Sequence, residues 1–408
     1  MKKSIVSLIR LIIPDSVWRR WKRTFLLHSA DVKEIEKNPQ DFHEILYHIK
    51  DDTWEPMCMP SIYRTMADGC LNCFHAAQDI LLVKNAIVTN NSNIVISNGH
   101  VIWDKSERVY FSKVIPRDNN LLRYDDERVY IRRYANTREI KGRCISMLGT
   151  HANIWGHFLV QYLPKLFYAD KAEILDNTTL LIPHYSDGNI KEMLDMAIAK
   201  HKNVSIVEAI AETEYFCDEL IYMPNTSYIS DEANYMMPFE VVIPKDIVNM
   251  IHQKIAKPII EKIKDNTPKY DKLYLTRDNP SYRATLNIDE VNAWFKEKNF
   301  HFIEGGTLSL EEKADLFYHA KTIAGPYSSA WINTFFCNKA KGLVLTNIPK
   351  SIESYFLTLA RPDSITFLHC IGADAGITHQ SDFRIPISTI EAAYKQLTEE
   401  DDGSNDRQ

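Results

Sequence analysis

Residues 271–349 constrain the fold more than any other stretch, because strand and helix signals alternate there in short, regular units. DKLYLTRD (271–278) reads as a strand ending in Arg277, and the loop NPSYRATLN behind it carries Arg283. NIDEVNAWFKEKN (287–299) has apolar residues at helical spacing, and HFIEGGTLS (301–309) is a short strand closing on Gly305 and Gly306. LEEKADLFYHA (310–320) is helical again, KTIAGPYSS (321–329) is a strand broken at Gly325–Pro326, and AWINTFFC is the following helix. KGLVLTNIP (341–349) ends the run as another strand. Alternation of this kind builds a parallel sheet, whose ligands collect outside the carboxyl ends of the strands. Two arginines and a polar helix start at those ends fit an anionic, phosphate-bearing ligand.

Upstream, GRCISMLGT (142–150) is a buried-strand run followed by HANIWGHFLVQYLPKLFYADKAEI, a helix with Phe158, Tyr162, Leu166 and Ala169 on one face and a kink at Pro164. TTLLIPH, NIKEMLDMAIAKH, VSIVEAI and DELIYMP continue a first α/β unit to about residue 224, and 243–264 is a long helical stretch. Between 79 and 134 the texture is strand-rich, with Asn90–Asn91 and Asn98–Gly99 as turn signals, and predicts a small antiparallel meander outside the parallel sheet. The expected fold is α/β, two Rossmann-like domains facing across a cleft, with that meander at the N-terminal side. The boundaries are 1–23 for an N-terminal segment, 24–242 for a first domain (meander 79–134, first Rossmann-like unit 142–224), 243–390 for a second domain and 391–408 for an acidic tail.

A net charge of -6 over 408 residues gives no basic field for nucleic acid. The seven cysteines are odd in number and dispersed; only Cys70 and Cys73 are close, and with His75 nearby they still lack a fourth zinc ligand. Buried free thiols in a reducing, cytoplasmic setting are expected. Residues 1–23 carry seven Lys and Arg against Asp15, with Ile5, Val6, Leu8, Ile9, Ile12 and Ile13 on one side and Trp18 and Trp21 beyond Pro14. Arg10 interrupts the run before it reaches the ~20 apolar residues of a membrane span. The pattern fits either a helix lying on the anionic inner face of a membrane or one docked on its own domain.

Several residues have the chemistry for a site. Arg277 at a strand end and Arg283 in the next loop can converge on one diphosphate, or form surface ion pairs with Asp278 and Asp289. Gly325, Tyr327, Ser328 and Ser329 lead into a helix whose first N–H groups attract phosphate oxygens, or form an ordinary capped turn. Gly305 and Thr307 lie in a loop where a base or ribose can approach the backbone. His151 and His157 flank a strand-to-helix junction, as a proton acceptor for a hydroxyl nucleophile or as structural residues. No Asp-x-Asp triplet, Gly-x-Ser-x-Gly elbow or Gly-x-Gly-x-x-Gly fingerprint occurs, and Asp125–Asp126 is the nearest paired carboxylate.

Three blocks of the chain resemble glycosyltransferase family 61, which includes bacterial capsular-polysaccharide biosynthesis proteins. IWGHFLVQYLPKLFYAD (154–170) is similar to the family's histidine-bearing helix. LYLTRDNPSYRATLNIDEV (273–291) resembles its Tyr-x-x-Arg strand, second arginine and helix-preceding Asn, and LSLEEKADLFYHAKTIAGPYSSAWINTFF (308–336) its closing helix–strand–Gly-Pro–helix block. The resemblance implies a GT-B architecture and inverting, metal-independent transfer of a sugar from a nucleotide-diphosphate donor, first a UDP-linked one, to a hydroxyl of a cell-surface glycan. It implies no cofactor. It places His157 at the helix histidine, Arg277 and Arg283 at the arginines, and Asn287, Gly325 and Asn333 at the remaining motif positions. Where the family usually reads Gly-x-His-Gly, this chain has Tyr327 and Ser328. A pyruvyl or phosphate transferase on a similar fold, or a non-catalytic assembly subunit, are the alternatives.

Overall fold

The computed structural model describes residues 24–31, 43–51, 53–58, 70–75, 77–103, 118–124, 128–225, 227–229, 241–277, 283–347, 359, 364–372 and 381–399. The basic segment 1–23, Asp125–Asp126 and Asp278 lie outside them, as do the side chains of Cys70, Cys73 and His75. The chain divides into two compact units, Met1–Thr53, Ala76–Ser186 and Ala197–Asn225 against Trp54–His75, Asp187–Met196 and Thr226–Gln408. No helix of the described residues is long and apolar enough to cross a membrane.

The strands in chain order begin with β1 (Thr24–Asp31), β2 (His43–Lys50), β3 (Thr53–Cys58), β4 (Cys70–His75), β5 (Gln78–Thr89), β6 (Val95–Ser97) and β7 (His100–Trp103). They continue with β8 (Leu121–Tyr124), β9 (Arg128–Arg132), β10 (Asn136–Ser146), β11 (Thr179–Ile182), β12 (Ser205–Glu208) and β13 (Thr213–Tyr222). β3 and β4 pair as a separate ribbon; the others form one sheet in the order β12-β11-β10-β13-β5-β6-β7-β1-β9-β8, with β2 on β5. Its β12-β11-β10-β13 part is parallel throughout. The strands at 79–134 are therefore continuous with the parallel strands rather than a separate meander. The reason is the length of β5, twelve residues. One of its edges takes β13 antiparallel, while the opposite edge is shared by β2 over 78–83 and β6 at Ile87. The hairpin between β6 and β7 does close on Asn98–Gly99, both at positive φ (48° and 76°), the mirror-image turn that matches strand twist.

Leu81, Val83, Val88, Leu181, Tyr215 and Leu220 form the core beneath this sheet. A buried ion pair ties it: Arg133 Nε and Nη2 donate to the two Glu214 oxygens at 2.6 and 2.7 Å, and the Tyr134 N–H adds a third bond at 2.7 Å. The helix α1 spans 155–171, as Trp155–His157, a π-turn Phe158–Tyr162 and Leu163–Lys171, while α2 (Gly188–Ile198) falls mostly in the second unit.

In the second unit β14 (Tyr228–Ile229) pairs with β15 (Val241–Val242), and α3 spans 245–263 as Lys245–Ile251, a π-turn His252–Ala256 and Lys257–Ile263. Then β16 (Lys272–Leu275), α4 (Ile288–Glu297), β17 (His301–Ile303), α5 (Leu310–His319) and β18 (Thr322–Pro326) alternate as the sequence predicts. A 3-10 helix (Ser329–Phe336), β19 (Ala340–Thr346), β20 (Ile365–Ile371) and α6 (Ile387–Glu399) complete the unit. The sheet is wholly parallel in the order β17-β16-β18-β19-β20. Tyr274, Phe295, Leu343, Leu368 and Phe383 join its core to α4 and α6. The tail expected from residue 391 is corrected here: 391–399 belong to α6, whose Ile390, Ala393 and Leu397 are buried at helical spacing.

Glu214 is 2% exposed, so removing its partner strands a buried charge. Arg133→Met is expected to cost about 3 kcal/mol, read as a lowered urea midpoint at pH 7.

Candidate active site

In the second unit, strand order dictates where a ligand sits. From β16 the chain crosses to β17 on one side and returns to β18 on the other, so the order reverses between β16 and β18. At a reversal of this kind a ligand is expected outside the carboxyl ends of the two strands. Arg277 lies two residues beyond the end of β16, and Tyr327 follows the last residue of β18. The two strands approach closely at this point. A Cβ on Gly325 would lie 2.5 Å from the carbonyl oxygen of Leu275, and its φ of +148° is one that only glycine adopts without strain.

The Arg277 side chain reaches the backbone of Arg283. Arg277 Nη1 donates to the carbonyl of Arg283 at 3.1 Å, and Arg283 holds φ +56°. The next residues zip onto 382–385: Ala284 N–H to Asp382 Oδ1 at 2.8 Å, Phe383 N–H to the Ala284 carbonyl at 2.9 Å, Leu286 N–H to the Phe383 carbonyl at 2.7 Å. The Asn287 amide completes the zip, donating to the Ile385 carbonyl at 2.8 Å and accepting the Ile385 N–H at 3.1 Å. Asn287 thus holds the start of α4 in place, and in this structure its amide is engaged by protein on both atoms. The Arg283 guanidinium carbon stands 5.6 Å from the centre of the Tyr327 ring.

The loop after β18 is held from beneath. Tyr327 N–H donates to the Leu345 carbonyl at 2.8 Å, and the indole N–H of the buried Trp331 to the Pro326 carbonyl at 3.1 Å. Ser328 stands at the N-cap of the 3-10 helix without a side-chain cap, and its buried Oγ has no partner among the described residues. Asn333 is 2% exposed; its Nδ2 bonds the Ala330 carbonyl at 3.0 Å, while Oδ1 has no partner among the described residues. Gly305 faces the same helix, its would-be Cβ 3.5 Å from Ala330 Cβ and 3.9 Å from Asn333 Nδ2. Thr307 closes its own turn, Oγ1 to the Glu304 carbonyl at 3.0 Å, and Ser329 is exposed. The structure therefore links Arg277 to the Arg283 backbone, sets the Arg283 guanidinium over the Tyr327 ring, and places Gly305 beside Asn333. Sequence reading passed over the Ser309–Glu312 capping box that starts α5, although Ser-x-x-Glu is legible.

The histidines lie in the first unit, where the parallel order β12-β11-β10-β13 reverses between β10 and β13. His151 sits in the turn after β10 at φ +64°, and its ring lies 4.9 Å from that of His157. His157 Nδ1 donates to Gln161 Oε1 at 2.7 Å, so Nε2 is the nitrogen left with a lone pair. The Tyr162 hydroxyl donates to the Thr150 carbonyl at 2.8 Å and fixes the turn that carries His151. A Cβ on Gly149 would collide with that hydroxyl. Gln161 and Lys165 follow His157 at successive i+4 steps, a signal readable from spacing alone that sequence analysis left unused. Among the described residues no group of three His, Cys, Asp or Glu could hold a metal ion.

Lys165 is buried, its ammonium 5.1 Å from the Tyr162 ring centre, and desolvation pushes its pKa down to about 8 from 10.5. Between those values the unfolded chain binds the proton and the folded one does not, so stability rises with pH through that window; below it the cost of a buried charge is fully present. Lys165→Met is expected to be more stable than wild type at pH 7, by on the order of 3 kcal/mol. The difference should shrink towards pH 10.5 in urea titrations across the range.

Residues 155–344 match the family model described as Glycosyltransferase 61. No curated protein matches the chain. The matched segment contains the His157 helix, both arginines and the Gly325–Asn333 loop and helix. Over residues 155–344, a little under half of the chain, the sequence is similar to glycosyltransferase family 61.

Proposed function

We propose that the chain transfers a sugar from a nucleotide-diphosphate donor to a hydroxyl of a cell-surface glycan, with inversion and without a metal. The observation that carries this reading is the placement of Arg277, bonded to the Arg283 carbonyl, at the strand-order reversal of a parallel sheet, within the segment matched to the family. Phosphate-bearing ligands bind at such reversals, and guanidiniums give them charge-assisted hydrogen bonds. The Ser328 Oγ, without a partner among the described residues, and the start of the 3-10 helix add donors beside Tyr327. The two parallel strand orders support a GT-B arrangement.

In the proposed step the acceptor oxygen attacks the anomeric carbon from the face opposite the diphosphate. The bond to the leaving oxygen breaks, and its electron pair stays on the diphosphate, stabilised by Arg277 and Arg283. His157 Nε2 takes the acceptor proton, since its Nδ1–H is committed to Gln161. His151 is the second choice of base. Asn333, Gly305, Thr307 and Ser329 would line the sugar-nucleotide side, with Asn287 holding α4 beneath it. A UDP-linked sugar is the first donor to try, and residues 1–23 supply the membrane-facing charge.

Arg277→Ala is expected to fold with an unchanged melting temperature and to lose transfer by about 100-fold or more, a loss of electrostatic transition-state stabilisation. The assay is product formation from UDP-, GDP- and CMP-linked sugars. Near-wild-type turnover in that variant would sink the diphosphate assignment. The Tyr327–Ser328 departure favours one second reading, a binding subunit without catalysis. It predicts nucleotide binding by calorimetry with no product from any donor.

A further inference from the structure

The turn between β5 and β6 brings a side chain to the histidine turn from outside the matched segment. Asn93 is exposed, but the backbone around it is anchored. Its N–H donates to Asp118 Oδ2 at 2.6 Å, and Asp118 Oδ1 accepts from Ser92 Oγ at 2.8 Å and from the Asn120 N–H at 2.8 Å. Ser92 Oγ in turn accepts the Ile94 N–H at 3.1 Å, and Asn120 Nδ2 donates to Thr89 Oγ1 at 2.6 Å. Residues on both sides of Asn93 are therefore tied to the 118–120 loop, which orders the turn before any ligand arrives.

The Asn93 amide is half committed. Its Oδ1 accepts from the Tyr162 hydroxyl at 3.2 Å, the same hydroxyl that donates to the Thr150 carbonyl at 2.8 Å. One hydroxyl thus joins Asn93 to the residue before His151, whose ring lies 4.9 Å from that of His157. A Cβ on Gly149 would collide with Asn93 Oδ1 as well, so the glycine admits this close approach at the end of β10. The other half of the amide, Nδ2, has no partner among the described residues. Its N–H groups are met by water, and a ligand hydroxyl can take that water's place without loss of a hydrogen bond.

We propose that Asn93 is an acceptor-binding residue, its Nδ2 donating to a hydroxyl oxygen of the acceptor pyranose beside the hydroxyl whose proton His157 takes. This rests on the acceptor reading of His157 above. With Oδ1 held by Tyr162, the two N–H donors lie in a fixed plane and select where a hydroxyl oxygen sits. Asn93 lies outside residues 155–344, so this preference belongs to the chain and not to the matched segment.

The full chain, labelled with nitrogen-15 at asparagine amides and carbon-13 at histidine rings, is titrated with methyl β-glucopyranoside, methyl β-galactopyranoside, methyl α-mannopyranoside and methyl β-xylopyranoside. At least one should move the Asn93 Nδ2 and His157 ring signals saturably. Asn93→Asp keeps an oxygen for the Tyr162 hydroxyl and removes the donors, and Asn93→Ala removes both. Each should weaken that glycoside, read on the His157 ring, by about three- to tenfold, the range of a neutral hydrogen bond. Melting temperatures confirm folding. Tyr162→Phe removes the brace and leaves the donors, so it should cost less than Asn93→Asp; equal losses would reduce Asn93 to a brace and overturn the contact. Product from UDP-, GDP- and CMP-linked sugars is scored in the same samples. Asn93 signals that move without product from any donor would sink the transfer reading and leave the sugar subsite standing. Asn93 signals unmoved by every glycoside would overturn the subsite, whether or not product forms.

Discussion

Parallel pairing in the order β17-β16-β18-β19-β20 is the constraint on which the candidate site depends. Parallel strands present all their carboxyl ends at one edge, and crossovers must leave and return along the faces. Because the chain steps from β16 to one side and comes back on the other, residues following β16 and β18 part at that edge. The separation stays narrow only if the two strands touch just below it. Gly325 permits this, since any side chain there would strike Leu275. A substitution at Gly325 would therefore act on the spacing between Arg277 and Tyr327, although neither residue is altered.

The same logic recurs in the first unit, where β10 is flanked by β11 and β13 and the histidine turn leaves its end. The helix after that turn shares a feature with α3. Each widens into a π-turn, at 158–162 and 252–256, and in each a proline stands two residues beyond, Pro164 and Pro258. Proline gives no N–H to the helix, and its ring crowds the carbonyl four residues earlier. A wider turn ahead of it relieves that crowding without breaking the helix. The kink expected at Pro164 is thus spread over the turn that holds Phe158 to Tyr162. Gln161 lies inside it, so the residue that fixes the His157 tautomer sits on the locally altered part of the helix.

Local pattern made much of this legible. The 271–349 alternation, the Asn98–Gly99 hairpin and the burial of Cys144, Cys217, Cys337 and Cys370 all follow from neighbouring residues. What was hidden is what depends on distant partners. The Asn287 amide is satisfied by a backbone 98 residues away, and no spacing near Asn287 reports it. β5 reads as a hairpin strand from its own sequence, and only pairing with β13 makes it the join between antiparallel and parallel halves. The charged letters at 399–402 mask the helical spacing of Ile390, Ala393 and Leu397, which becomes plain only once those residues are seen buried against the second sheet.

Tyr327 and Ser328, the positions at which the chain departs from the usual Gly-x-His-Gly, become intelligible as backbone and charge. Ser328 has φ -158° and ψ 170°, extended backbone that any residue adopts, so losing a glycine there does not force the loop off its course. At the preceding position a tyrosine replaces an imidazole that would titrate near neutral pH. Its ring face attracts a cation at every pH where arginine is charged, whereas a protonated imidazole would repel one. Here the Arg283 guanidinium carbon lies 5.6 Å from the ring centre. The two altered letters are thus compatible with the backbone path seen here and set an aromatic ring, rather than a titratable imidazole, beside an arginine.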